Sequence, residues 1–98
     1  MAKRRIYGPI SKAIKGLCVR LLLMNGSDDD FKEGIRILLN KYSYLDELTY
    51  YSIALSLRKW TIDCGTKDTE RIWHLTDQVN PKIREAWNNY EREFLNGN

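Results

Sequence analysis

One segment with two apolar faces constrains the fold of this chain more than any other feature. From about residue 44 to residue 64 the spacing is helical, and at 1.5 Å per residue such a helix is about 30 Å long. The apolar residues of one face are Tyr44, Leu48, Tyr51, Leu55 and Ile62, and those of the opposite face are Tyr50, Ile53, Leu57, Trp60 and Cys64. Because a helix that is apolar on both sides has to be covered on both sides, we expect it to be the central element of the fold.

Four further helices are predicted around this central helix. Pro9 suits a first helical position, and Asn25-Gly26 is a stop signal. Ser27 is a good N-cap for the second helix, and Asn80 before Pro81 is a start signal for the last one. The predicted ranges are about 9–24, 28–41, 67–79 and 81 onward. No run of alternating β-branched residues competes with them, so we predict an all-α fold, a compact bundle of four to five helices around the central helix (about 44–64).

The 98 residues form one domain in this prediction, because two independent cores do not fit in so short a chain. The net charge of +3 is unevenly distributed. Residues 1–26 contain six basic residues and no acidic one, whereas residues 27–98 contain ten basic and thirteen acidic residues. The first quarter of the chain is therefore a cationic segment attached to a mildly acidic body, and such a segment favours an anionic partner.

The cationic segment is the first candidate site. We expect residues 1–8 to form a short basic N-terminal arm ahead of the first helix, which continues the positive charge. The predicted nucleic-acid-binding residues are Lys3, Arg4, Arg5, Lys12, Lys15 and Arg20. The favoured function is thus a non-enzymatic accessory or regulatory protein that binds nucleic acid. An acidic protein surface is the other anionic partner that fits, and a basic face that serves only solubility is the plainest alternative.

A surplus of apolar residues is the second candidate site. Val19, Leu22 and Leu23 fall on the otherwise basic side of the first helix, and an apolar strip with a charged rim is typical of a protein interface. Together with two tyrosines near the second helix junction, the predicted partner-binding residues are Val19, Leu22, Leu23, Tyr44 and Tyr50. The alternative function is an inhibitor or adaptor, of the kind that phages and mobile elements encode, which occludes a host protein. One face of the central helix could equally be the seam of a homo-oligomer.

Catalytic and metal chemistry are not expected. His74 is the single histidine, and the residues four positions before and after it are Glu70 and Gln78, which do not form a metal-ligand set with it. We therefore expect a surface histidine, no metal site and no cofactor. Both cysteines lie in apolar stripes, where a thiolate is disfavoured, and the chain has no phosphate-binding loop. The apolar run at Leu17–Met24 contains Arg20 and is too short to span a membrane. We therefore expect a cytoplasmic protein that is not an enzyme.

One resemblance to a known family covers about half of the chain. The order of Leu45-Asp46-Glu47-Leu48, Arg58-Lys59-Trp60 and Val79-Asn80-Pro81, followed by a charged helix, resembles the small terminase subunits of tailed phages. In that family a long helix with a basic-Trp pair precedes a helix that starts with Asn-Pro. The additional helix at 67–79 departs from this order. The resemblance implies an oligomeric DNA-packaging subunit that binds DNA and has no catalysis of its own.

Overall fold

The computed structural model of the protein describes residues 2–63 and 69–95, with side chains described for residues 8–62 and 69–93. Throughout these ranges the regular structure is helical. The helices are α1 (Ala2–Leu23), α2 (Asp28–Lys41), α3 (Glu47–Asp63), α4 (Thr69–Val79) and α5 (Lys82–Tyr90), and a π-helical segment (Glu91–Leu95) follows α5. The predicted all-α bundle is confirmed.

Helix α3 lies at the centre of the bundle, packed against α1 on one flank and α5 on the other, while α2 contacts α1 and α4. One of the two predicted apolar faces of α3 is the inner face of the bundle: its Ile53 and Leu57 are fully covered. The core joins these two residues and Ala54 of α3 to residues of every other helix, namely Ile10, Ile14, Leu17, Cys18, Leu21, Phe31, Ile35, Leu38, Ile72, Trp73, Leu75 and Ile83. Burial of this apolar surface, at about 25 cal/mol per Å², is what holds the helices together.

The second apolar face of α3 was expected to be buried and is not. Leu48 and Leu55 are half-buried, and Ile62 is 55% exposed. The reason is that α1 packs on the flank of α3 that carries Trp60, whereas α5 packs on the flank that carries Tyr51 and Arg58. The strip between these two flanks stays open within the described part of the bundle. Cys64, predicted to belong to the inner face, lies outside the described residues.

The predicted start of the first helix at Pro9 is wrong. Helix α1 begins at Ala2, so Pro9 lies inside it and the backbone of residues 2–8 is helical instead of forming a separate arm. Pro9 is the eighth residue of α1, so it lacks the amide that would donate to the carbonyl of Arg5, although its fixed φ is helical. Ala, Lys and Arg before it are good helix formers. The preference of Pro for a first helical position therefore placed the predicted start of α1 seven residues too late.

The predicted start of the central helix at Tyr44 is also wrong. Ser43–Leu45 form a 3₁₀ turn, Asp46 has a φ of 55°, and α3 begins only at Glu47. The carbonyl of Tyr42 explains this turn, because it accepts hydrogen bonds from the Leu45 amide at 3.0 Å and from the Thr49 hydroxyl. As a result Tyr44 stands outside α3 and is 73% exposed.

The other helix signals are confirmed. Ser27 caps α2, since its hydroxyl accepts a hydrogen bond from the Asp30 amide at 3.0 Å. Asn80 caps α5 through its side-chain oxygen, which accepts from the Lys82 amide at 3.0 Å. Gly34 permits a close crossing of α1 and α2, because a Cβ built there lies 2.3 Å from a methyl group of Leu17.

Two glycines in and after α1 give a first testable prediction. A Cβ at Gly26 meets the carbonyl oxygen of Arg20 at 2.8 Å, and the amide of Gly26 donates to that same oxygen at 2.7 Å. Since backbone cannot yield easily, Gly26→Ala is expected to lower the free energy of unfolding by about 1–3 kcal/mol.

The matched change is Gly16→Ala, inside α1, where a Cβ has nothing within 4 Å. It is expected to raise the free energy of unfolding by about 0.5–1 kcal/mol, because Ala is a better helix former than Gly. Urea unfolding followed by circular dichroism measures both values. A stabilising Gly26→Ala together with a destabilising Gly16→Ala would show that the turn after α1 is not the one described.

Candidate nucleic-acid interface

The basic residues of α1 do not share one face. Lys12 and Lys15 are both exposed and lie about 60° apart around the helix, on the side opposite Leu17. Arg20 is exposed too, but it lies about 80° from Lys12 and about 140° from Lys15 around the helix, more than one turn further along, where it borders a shallow cleft at the junction with α2. The structure therefore brings two of the predicted residues together and sets the third apart.

A tryptophan of α3 lies beside these two lysines. Trp60 is half-buried, and its indole Nε1 donates a hydrogen bond to the carbonyl oxygen of Ser11 at 3.2 Å. Ser11 belongs to the turn of α1 that holds Lys12. Because a buried indole N–H needs an acceptor and here has one, the ring is fixed in place against α1.

Two ammonium groups from two different helices converge on this ring. The Nζ of Lys15 lies 4.9 Å from the ring centroid of Trp60, and the Nζ of Lys59 lies 5.4 Å from it. Cation–π attraction at such exposed sites is about 0.5–1 kcal/mol each. Two ammonium groups repel each other, and the attraction of each to the Trp60 ring offsets part of this repulsion. We call Lys15, Lys59 and Trp60 the Trp60 cluster.

The positive charge of this face is not compensated within the described part of the protein. The ion pairs in the described residues are Arg71–Asp28, Arg84–Asp77, Lys32–Asp29 and Arg36–Glu33, all of them on α2, α4 and α5 or between these helices. None of the basic side chains described on α1 and α3 takes part in one. The acidic body thus neutralises many of its own cations, whereas the cations of α1 and α3 remain available to an anion.

Sequence reasoning missed two members of this site. Counting charge by segment assigned Lys59 to the acidic body, and helical spacing assigned Trp60 to the inner face of the central helix. The signal that could have found them is the adjacency of a lysine and a tryptophan in the Arg58-Lys59-Trp60 run. That run does not indicate on which side of α3 helix α1 packs. The position of α1 determines that Lys15 and Lys59 lie beside the same ring.

The remaining predicted cations precede this region along α1. Lys3, Arg4 and Arg5 lie in the helical backbone that begins at Ala2, and their side chains lie outside the described ones. They extend the chain on which Lys12 and Lys15 stand. Their part in binding stays a prediction.

The residues predicted to bind a protein partner fall into three separate places. Leu23 is 75% exposed at the end of α1, in the same segment as Val19 and Leu22, which are half-buried. Tyr44 is exposed in the 3₁₀ turn, where its ring lies 6.5 Å from that of Tyr42. Tyr50 is half-buried and has the Nζ of Lys82 at 5.8 Å from its ring. The structure does not assemble these five residues into one surface.

An acidic cleft with a volume of about 450 Å³ lies elsewhere, between the start of α3 and α5. Four of its lining residues are carboxylates and only one is a lysine; these are Asp46, Glu47, Glu85, Glu93 and Lys82. A cleft of this charge repels phosphate, so the cleft and the Trp60 cluster are electrostatically opposite sites.

His74 is exposed, as predicted, with its Nε2 2.9 Å from the side-chain nitrogen of Gln78. The described side chains contain no group of three or more His, Cys, Asp or Glu able to hold a metal ion. Likewise, of the helices described, none has the length and apolar character needed to cross a membrane.

Comparison of the chain with family models, with curated proteins and with solved structures gives no match in any of the three. The resemblance to small terminase subunits therefore gains no support from a wider match.

Proposed function

We propose that this protein binds nucleic acid through the open face of α1 and α3, centred on the Trp60 cluster. The observation that carries the proposal is the convergence of Lys15 and Lys59 on one immobilised ring, without a carboxylate partner in the described residues. Two fixed ammonium groups with Lys12 beside them suit successive phosphates of a nucleic-acid backbone.

The tryptophan organises the site rather than reading bases. Its indole N–H is already engaged by Ser11, so it is not free to donate to a base edge. Its ring is shared by two ammonium groups, so stacking a base on it requires one of them to move aside. Contacts of this kind position a protein on the backbone and carry no sequence information. The proposed role is accordingly that of an accessory or regulatory binder with low sequence preference.

The direct test is fluorescence anisotropy at about 50 mM salt with a labelled duplex and a labelled single strand. Lys15→Ala combined with Lys59→Ala is expected to weaken binding about a hundredfold, because at this salt concentration each lysine–phosphate interaction strengthens binding by about a factor of ten. The dependence of log K on log salt should become shallower by about 1.8.

The matched control is Lys41→Ala combined with Lys82→Ala. These lysines also lie over aromatic rings, at 5.6 Å from Tyr42 and 5.8 Å from Tyr50, and they too have no ion pair in the described structure. The control therefore removes the same charge and the same type of interaction at other places. Equal losses of affinity in both double variants would show that binding depends on net charge and not on this site. Absence of binding by the unmodified protein would contradict the proposal.

A second function, docking on another protein, is favoured by a different observation. Leu23 and the adjacent Met24 are the most exposed apolar side chains at the end of α1, at 75% and 66%. Two such side chains in sequence are suited to a partner's apolar pocket. Leu23→Ser with Met24→Ser leaves the Trp60 cluster intact, so a loss of protein capture with unchanged nucleic-acid affinity would assign the two functions to separate surfaces.

A further inference from the structure

The open strip of α3 has the spacing of a helix–helix seam. Leu48, Leu55 and Ile62 follow one another at intervals of seven residues, which places them within about 40° of arc along one side of the helix. Leu48 and Leu55 are half-buried and Ile62 is largely exposed. We call these three residues the α3 strip. Apolar residues in a heptad line on an exposed helix side are covered in coiled-coil pairs by a second helix.

The charges beside the α3 strip show which occupant fits it. Glu47 lies at its beginning and Arg58 near its end, and helical geometry places both on the α5 side of the strip, about 20° apart around α3. Both are exposed, and neither has an ion-pair partner in the described residues. They lie eleven residues apart, about 16 Å along the axis, so they cannot pair within one molecule.

The acidic cleft strengthens this asymmetry. It adjoins the Glu47 end of the strip and adds the carboxylates of Asp46, Glu85 and Glu93 to the same corner. One end of the α3 strip is thus acidic on its α5 side, and the other end is basic on that side. A surface whose two ends carry opposite charge is complementary to a reversed copy of itself.

We infer that two copies of this chain associate through the α3 strip as an antiparallel, two-fold symmetric dimer. With Leu55 opposite the same residue of the second copy, Leu48 of one copy meets Ile62 of the other. Arg58 of one copy then lies about 8 Å along the axis from Glu47 of the other, which two long side chains can bridge. In a parallel pair the two-fold axis runs along the helices, so Arg58 of one copy would instead face Lys59 of the other across the seam, and the repulsion between these two cations disfavours that arrangement.

The symmetry of this dimer has a consequence for the Trp60 cluster. The two-fold axis is perpendicular to both α3 helices. A feature on one flank of α3 in one copy therefore lies on the same side of the helix pair in the other copy. Since α1 flanks α3 on the Trp60 side, the dimer carries two equivalent basic faces and two equivalent acidic clefts. The dimer inference itself does not depend on nucleic-acid binding.

The experiment is sedimentation equilibrium without nucleic acid, over about 1 µM to about 1 mM protein. The unmodified chain is expected to pass from monomer to dimer in this range. Leu55→Glu places two carboxylates at the symmetry axis and should raise the dimer dissociation constant at least about a hundredfold. Ile37→Glu, at an exposed isoleucine of α2, should leave it unchanged. A monomer at every concentration, or equal dissociation constants for both variants, would overturn the inference.

Charge reversal tests the orientation separately. Glu47→Arg alone and Arg58→Glu alone should each raise the dissociation constant about tenfold, because each juxtaposes like charges across the seam. The two changes together restore opposite charges in reversed order and should recover the original value. Circular dichroism confirms that each variant folds. Failure of the combined variant to recover, with both single variants folded and weakened, would refute the antiparallel arrangement.

Discussion

Replacing Ile53 by Ala is expected to lower the free energy of unfolding by about 2–5 kcal/mol. Ile53 lies on the inner face of α3 with 0% of its surface exposed, in the core formed by all five helices. The loss includes the transfer energy of the removed methyl and methylene groups and the cost of a cavity that its close-packed neighbours cannot fill. For a domain of this size such a loss is a large part of the total stability.

The control for this change is Ile37→Ala on α2. Ile37 is 57% exposed, so the same substitution removes little buried surface and should alter the free energy of unfolding by less than about 0.5 kcal/mol. Urea titration at a low protein concentration measures both without contribution from association. A difference below about 1 kcal/mol between the two variants would contradict the position of α3 at the centre of the core.

Raising the salt concentration from about 50 to about 200 mM is expected to weaken nucleic-acid binding steeply. Phosphate contacts release counterions, and log K falls by about 0.9 per contact for each tenfold increase in salt. If only Lys12, Lys15 and Lys59 contact phosphate, the affinity falls about 40-fold over this interval. If Lys3, Arg4 and Arg5 contribute as well, the fall is about 2,000-fold.

This titration decides the role of residues 2–8. A fall near the smaller value assigns binding to the Trp60 cluster and Lys12 alone, whereas a fall near the larger value extends the site along α1. A triple Ala variant at positions 3, 4 and 5 supplies the check. If these residues contact phosphate, the variant should reduce the fall in affinity from the larger value to the smaller one; if they do not, the fall should stay at the smaller value. An affinity independent of salt would contradict electrostatic binding altogether.

The sequence predicted the helices well where side chains act locally. Ser27 and Asn80 form their caps through hydrogen bonds to amides two or three residues away, so the residues themselves determine those starts. It predicted the beginning of α3 poorly, because the deciding contact is made by the carbonyl of Tyr42 with the hydroxyl of Thr49. The hydrogen bonds that a backbone carbonyl accepts cannot be predicted from residue types, and an Asp residue only weakly indicates a positive φ.

The candidate site was only half predictable for a related reason. The cationic character of α1 is visible in the first 26 residues, and Lys12 and Lys15 were identified from it. The contribution of α3 depends on which flank of that helix receives α1. Helical periodicity gives apolar faces but not their order around the helix, so the contact of Trp60 with Ser11 required the three-dimensional fold.

The hydrogen bond from Trp60 to Ser11 joins positions 49 residues apart in the chain. Lys15 and Lys59 therefore come together only after α1 has docked on α3. A peptide of the first 26 residues contains six basic residues and no acidic one but lacks Lys59 and Trp60, so it does not form the site. Binding and folding are then thermodynamically linked: an anion that engages both lysines binds the native state alone, and it draws the unfolded population toward that state in proportion to its occupancy. For a small bundle, a nucleic acid bound in the proposed way would add to the stability of the folded state.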